Sequence, residues 1–331
     1  VQGLPLSGAS SQTRRALATA GQIGISALVL GLLVREAGGV DLDALRAAAR
    51  PGWLALALAV KTTSLVLHEL RLWISFNPPR PPLRGVLAIG FASGVVNLLL
   101  PGRAGDLLAV GLLHRERGVP VSAAAASVGV VALLEAATFA VLLLVALIAG
   151  AARWEELLGG AAHREALSSA TALTLVGVGL GVGIVTLARR AGPAPEGPGP
   201  LALLRQTLAE AGENLGTAAT LAQNVGLSVL QVGLMVGAFA LLFPALGLDV
   251  PAPVLAASGV LAASALASVL LPPGYGAGPA AAAVAILAAF GLEPAEALRY
   301  AAGYWLVSQA PAALLGLPFL RGRWPSPPPA A

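Results

Sequence analysis

The chain has no cysteine, one methionine and only 11% charged residues. Without cysteine there are no disulfides, thiolate metal sites or cysteine nucleophiles. Histidine is scarce as well. His68, His114 and His163 stand far apart, and none falls in an HExxH-type ligand spacing. A Ser–His–Asp elbow, a GxxxxGK[ST] phosphate loop and a DxD-like carboxylate pair are missing. The sequence therefore predicts no cofactor, no metal, no ATP hydrolysis and no enzymatic chemistry. A soluble domain carries roughly 25% charged residues, and this chain has too few to cover an aqueous surface.

Apolar residues are abundant. Hydrophobic types make up 57% of the 331 residues, and mean hydropathy is +0.83. They come in long runs, at about 22–34, 53–70, 85–101, 107–113, 121–150, 167–188, 219–243, 252–271, 277–291 and 297–318. A spanning helix needs about 20 such residues. The expectation is an all-α, polytopic helical membrane protein. The first run follows Arg14 and Arg15 and precedes Arg35, Glu36 and Asp41 rather than a cleavage site, so it reads as a short first membrane helix. The net charge of +4 is carried by arginine, with Lys61 the one lysine. Positive-inside loops account for it, and no basic run has the density of a nucleic-acid patch.

Two pairs of runs are broken. The first break is Pro101-Gly102-Arg103-Ala104-Gly105-Asp106, and the second is Pro272-Pro273-Gly274-Tyr275-Gly276. Unpaired backbone at membrane depth must be shielded by protein or line a wet cavity. Segments 71–84, 189–205 and the C-terminal end carry arginine with little acid, whereas 151–166 is acid-rich. The positive-inside rule puts the first three in the cytoplasm, with both termini, and the last outside. Segments 71–84 and 103–118 share a side only if 85–113 enters and leaves on one face. Segment 252–291 must then be a hairpin from the opposite face. Asn97 to Pro101 resembles Ser268 to Pro272, and Gly105 matches Gly276, at a shared offset of 171 residues. Two re-entrant hairpins in an inverted repeat follow, with the substrate site expected at the broken helices.

The domain reading is an N-terminal transmembrane half over 1–190, a linker and surface amphipathic helix over 191–217, a C-terminal half over 218–324, and a disordered tail over 325–331. Charges inside membrane segments are candidate functional groups by default. Arg103 could hold a phosphate in a bidentate contact, aided by amides of Gly102, Ala104 and Gly105. It could instead pair with Asp106. Glu135, in the middle of an apolar helix, could partner Arg103, titrate, or make a structural hydrogen bond. Lys61 has the same status and is expected to point inward. Asn97 and Ser268 are expected to cap freed backbone groups. Gly274 and Gly276 allow close backbone approach beside Tyr275. His68, Glu69 and Arg71 read as interfacial anchors, and Tyr275, Tyr300, Tyr304 and Trp305 as an aromatic belt. Gln231 and Gln309 read as interhelical glue.

The stretch from Arg71 to Gly150 resembles the flippase-like transmembrane region of lysylphosphatidylglycerol synthases and their stand-alone relatives. The carrying residues are Arg71-Leu72-Trp73, then Gly94-Val-Val-Asn97-Leu-Leu-Leu-Pro101-Gly-Arg103-Ala-Gly105-Asp106, then Arg117-Gly118-Val119 with Ser122, and Leu133-Leu134-Glu135. In the second half Leu271-Pro272-Pro273-Gly274-Tyr275-Gly276 resembles the family's second motif, and Gly291, Leu292 and Gly316 fit its closing segment. The resemblance runs from about 20 to 323. Asp106 stands where the family usually has Glu. Ala132 and Glu135 stand where it has an Arg-x-x-Asp pair, and Pro279 where its second motif ends in Glu. The resemblance implies movement of anionic or aminoacylated phospholipids, or lipid-linked sugars, between leaflets of the cell membrane. Headgroups are the implied partners, with a homo-oligomer or a separate lipid-modifying enzyme also open. A secondary transporter of a small soluble solute, a membrane enzyme acting on lipid phosphates and a non-transporting partner subunit remain alternatives.

Overall fold

The computed structural model describes residues 27–35, 49–99, 104–152, 199–214, 217–270 and 276–320, with isolated positions between 155 and 186. Among these the regular structure is helical, without a strand, as the composition implies. Residues 27–35 are helical. Among the continuously described residues ten further helices follow: α1 (Pro51–Ile74), α2 (Leu83–Leu99), α3 (Ala104–Arg117), α4 (Val121–Ala149), α5 (Pro200–Asn214), α6 (Ala218–Ala240), α7 (Leu242–Ala245), α8 (Pro253–Leu270), α9 (Ala277–Ala288) and α10 (Pro294–Leu320). The linker 191–198, the tail 325–331, residues 101–103 and 271–275, and most of 151–166 and 167–188 lie outside the described residues.

Local chemistry sets the helix ends. Proline opens α1, α5, α8 and α10, where its missing N–H costs nothing and its fixed φ suits the first turn. Gly118, at φ 66°, ends α3. The Val119 amide reaches back to the Leu113 carbonyl at 3.3 Å and Gly118 to His114 at 3.0 Å. This left-handed cap closes the helix and turns the chain straight into α4.

Among the described residues, three stretches are long and apolar enough to cross a membrane: Pro51–Ile74, Val121–Ala149 and Ala219–Ala245. Their outward faces stay apolar. Val141, Val145, Ile148, Val229 and Leu230 are all exposed, which suits contact with lipid. α10 has 27 residues, ample length for a span, but Pro311, Pro318, Gln309 and its tyrosines make it less apolar.

α2 and α3 pack antiparallel. Gly85, near the start of α2, lies against the Arg117 guanidinium at the end of α3, and Asn97 meets Gly105 at the other end. The pair thus returns to the end of the molecule that it left. That end also holds the close of α1 and the start of α4, since the Ser127 hydroxyl donates to the Ser75 carbonyl at 3.2 Å. α8 and α9 pack on each other in the second half. α5 is helical where the amphipathic pattern predicts, and it docks along α4, with Ala211 against Ala126 and Val130.

A large apolar core joins α6, α7, α8, α9 and α10 to parts of α1 and α4. A smaller one lies between α1, α2, α3 and α4, around Leu72, Val86, Ile89, Leu113 and Val131. The aromatic-belt expectation fails for two tyrosines. Tyr300 and Tyr304 are buried and stack on Phe243 and Phe239, at ring separations of 4.5 and 4.1 Å. The Tyr300 hydroxyl donates to the Phe239 carbonyl at 3.1 Å. That hydrogen bond satisfies the polar tip of the ring, so the core accepts a residue that otherwise favours an interface. Trp305 is 41% exposed.

Candidate functional site

α1 and its C-cap Ser75 carry polar residues at 61, 64, 68, 71 and 75. Steps of three and four put them on one helix face. α6 does the same with Asn224, Ser228 and Gln231. The two stripes face each other across an antiparallel contact. Ser75 donates to Asn224 at 3.3 Å, and Ser64 donates to the Gln231 carbonyl at 3.2 Å. α4 closes the seam, with Thr138 and Ser228 hydroxyls 2.7 Å apart.

Gln231 is the centre of this seam. Its side-chain oxygen accepts from Arg71 Nη1 at 2.5 Å, and its Nε2 donates to Glu135 Oε1 at 2.9 Å. His68 Nδ1 lies 3.4 Å from the same Nε2 and 3.7 Å from the Glu135 carboxylate. A second Arg71 nitrogen reaches the Val131 carbonyl at 3.4 Å. One neutral amide therefore bridges a buried guanidinium and a carboxylate, each through its matching half. The glue expectation holds for Gln231. Lys61 points inward as expected, at 6% exposure, and acts electrostatically on Glu135.

The anchoring expectation for His68, Glu69 and Arg71 fails. Arg71 is fully buried and Glu69 is 7% exposed. The helix end that reads as interfacial is instead packed under α2, α3 and α4, so these groups meet protein where an anchor would meet headgroups.

Beside the seam is a cavity of about 20 Å³, lined by His68, Glu69, Ser93, Asp106 and the apolar side chains of Leu72, Ala109, Val128 and Val131. That is room for about one water-sized body. Glu69 rests against Gly90, where a Cβ would collide with its carboxylate. Glycine at 90 is thus what lets the acid lie between α1 and α2.

The first break is organised by Asn97. Its Oδ1 accepts from the Gly105 amide at 2.7 Å, and its Nδ2 donates to Asp106 Oδ1 at 2.8 Å. The capping expectation for Asn97 holds. One part of the phosphate-site expectation fails with it: the Gly105 amide is taken up by Asn97 and is not open to a ligand. Glycine is needed at 105 because a Cβ there would strike the Ser93 backbone carbonyl. Arg103 and Gly102, like Gly274 and Tyr275 of the second break, lie outside the described residues. Gly276 is described, at φ 73°, with the Trp305 indole over it.

The structure thus brings Asn97, Gly105 and Asp106 together at one end of α3, and Lys61 and Glu135 to the polar seam. It adds Glu69, Arg71, Ser93 and Gln231, of which sequence reasoning treated none as ligands. The three-four spacing on α1 and α6 is the signal that points to the seam.

The family model for the lysylphosphatidylglycerol synthase TM region matches residues 20–316. No curated protein and no solved structure matches the chain. The match covers nearly the whole sequence, and the chain belongs to this membrane family.

Proposed function

We propose that this member of the lysylphosphatidylglycerol synthase TM-region family moves lipids between the leaflets of the cell membrane without covalent chemistry. Anionic or aminoacylated phospholipids, or lipid-linked sugars, are the substrate class. The observation that carries this reading is the broken helix pair α2–α3. It starts and ends at one end of the molecule and meets a buried polar seam beside its tip. α2 has 17 residues and α3 has 14, so at about 1.5 Å per residue neither spans a core of about 30 Å. In this reading the pair is re-entrant, α8–α9 is its inverted counterpart, and the arginine-rich segments face the cytoplasm.

A headgroup enters beside residues 100–106 while its acyl chains stay in lipid. Arg103 takes the phosphate. Asp106 and Asn97 hold the start of α3 in place. Moving a charge through hydrocarbon unaided is costly, and a polar path walled by α1, α3, α4 and α6 lowers that cost.

The test is leaflet exchange of labelled phospholipids in proteoliposomes, with and without ion gradients. Protein-dependent exchange that falls at least tenfold in Arg103→Ala is the expected result. No exchange of any lipid in any gradient sinks the proposal. Uptake of a soluble tracer without lipid movement would assign the chain to solute transport instead.

A further inference from the structure

Three arginines converge where α1 closes and α2 begins. Arg115 and Arg117 lie in the last turn of α3, and Arg84 lies in the first turn of α2. The Arg117 guanidinium reaches across to Gly85, so it lies over that first turn. All three arginines are exposed. Among the described residues none of the three guanidinium groups has a hydrogen bond or an ion pair. Arg80 differs from them. Its guanidinium lies 4.9 Å over the Trp73 ring, and its nitrogens donate to the Phe76 and Ile74 carbonyls at 3.0 and 3.4 Å. The acids nearby do not balance the three. The first turns of α2 and α4 hold none. Glu116 is half-buried on the side of α3 opposite Leu107, and Glu213 of α5 accepts from Asn77 at 3.4 Å.

α3 also carries an exposed apolar face that leads to these arginines. Leu107 is 75% exposed, and a Cβ on Gly111, one turn further on, would meet open space. With about 3.6 residues per turn, Leu107 and Gly111 share one line, and Arg115 and Arg117 fall on either side of its end. Trp73 stands half-buried at the close of α1, with its indole N–H donating to the Pro81 carbonyl at 2.9 Å. Such a ring suits the boundary between lipid and water, which puts the arginines at headgroup level. The positive-inside tendency asks only for arginines on one side of the membrane. It does not ask for three unpaired guanidinium groups at the end of one apolar face.

We propose that the outer face of α3 holds a membrane lipid with an anionic phosphate headgroup. Its acyl chain lies along Leu107 and Gly111, and its phosphate rests on Arg84, Arg115 and Arg117. Guanidinium groups take phosphate oxygens through paired N–H donors. Arg84 and Arg117 meet over one turn of α2, and an anion between them offsets their repulsion. A soluble anion would match the arginines but leave the apolar face bare. A zwitterionic lipid brings its own ammonium group to the phosphate and gains less. α3 has 14 residues, so this phosphate stands about 20 Å from the break before α3 and is separate from the site assigned to Arg103. Holding this lipid does not depend on moving one between leaflets.

The experiment titrates the full chain, in neutral detergent, with radiolabelled dioleoyl phosphatidylglycerol. Dioleoyl phosphatidylcholine and soluble glycerol phosphate are the competitors. The expected result is saturable phosphatidylglycerol binding that weakens with salt, that phosphatidylcholine displaces at least about tenfold less well, and that glycerol phosphate does not displace. Replacing the three arginines together (Arg84→Gln, Arg115→Gln, Arg117→Gln) is expected to weaken binding at least about tenfold, with an unchanged melting curve. Gly111→Leu keeps the arginines but covers the apolar face, and it should weaken binding by a smaller factor. Arg103→Ala should leave this binding in place. No preference for phosphatidylglycerol over phosphatidylcholine overturns the proposal. So does unchanged affinity in the folded triple variant or in Gly111→Leu. Displacement by glycerol phosphate as readily as by lipid also overturns it, because the arginines would then form a soluble-anion site. Loss of binding in Arg103→Ala would move the lipid to the break and overturn it too. Selective binding without leaflet exchange would leave this site standing and remove only the transport reading.

Discussion

Gln231→Leu is the most informative single change. Leucine keeps the side-chain bulk but removes the donor and the acceptor that join Arg71 to Glu135. Both bonds involve a charged group, and such bonds contribute about 1.5–3 kcal/mol each. Helices that stay formed in the membrane find substitute partners, which lowers the cost toward ~0.6–1.7 kcal/mol per bond. Arg71 keeps the Val131 carbonyl, and Glu135 keeps His68. The net loss is therefore about 2–3 kcal/mol. For a chain this large, that lowers Tm by roughly 4–9 °C, taking about 2–3 °C per kcal/mol. The five tryptophans and the absence of cysteine make intrinsic fluorescence during heating the natural readout. Gln309→Leu is the matched control. Gln309 is also buried in a helix, but its Oε1 has no partner among the described residues. Its replacement should cost under ~1 kcal/mol or even stabilise. Equal destabilisation by the two changes would refute the claim that Gln231 acts through its bridge rather than through general packing.

Asn97→Ala removes the cap of α3 and the contact to Asp106, so it should cost about 1–2 kcal/mol in thermal unfolding. Asn97→Asp keeps an acceptor for the Gly105 amide but sets an acid against Asp106, so it should recover little of that loss. Gly316→Ala drives a methyl group into the Phe91 carbonyl and should destabilise by about 1–3 kcal/mol. Elsewhere on α2, Gly94→Ala meets open space and should be neutral or gain up to ~1 kcal/mol of helix propensity. Tyr300→Phe loses the bond to the Phe239 carbonyl and should cost about 1 kcal/mol, read from the same melting curves.

The fold was legible where apolar runs end in Pro or Gly. Pro51, Pro253 and Pro294 begin helices and Gly118 ends one, because their backbone limits act locally. That α2 and α3 are separate helices was legible for another reason: Pro101, Gly102 and Arg103 interrupt the apolar run between them, which excludes one continuous lipid-facing helix. Burial of Tyr300 and Tyr304 was not legible. A tyrosine near a helix end suits a membrane interface and a stacked core equally, and only the rings of Phe239 and Phe243, more than fifty residues away, decide between them.

The same reasoning separates what could be read at the site. Lys61 and Glu135 stand out because a lone charge in an apolar run is costly wherever it points. Glu69 and Arg71 do not, because they sit within a turn or two of the helix end, where charge is cheap if water or headgroups are near. What removes that option is α2–α3, a pair of helices that belongs to a different stretch of chain and covers this end of α1. A polar stripe at three-four spacing holds the missing information. Anchors need only reach the interface and have no reason to share a face. Lys61, Ser64, His68, Arg71 and Ser75 do share one, and Asn224, Ser228 and Gln231 repeat the pattern on α6. A shared polar face on a membrane helix implies a partner helix with the same need. In this chain that argument points to an internal seam before any contact is seen.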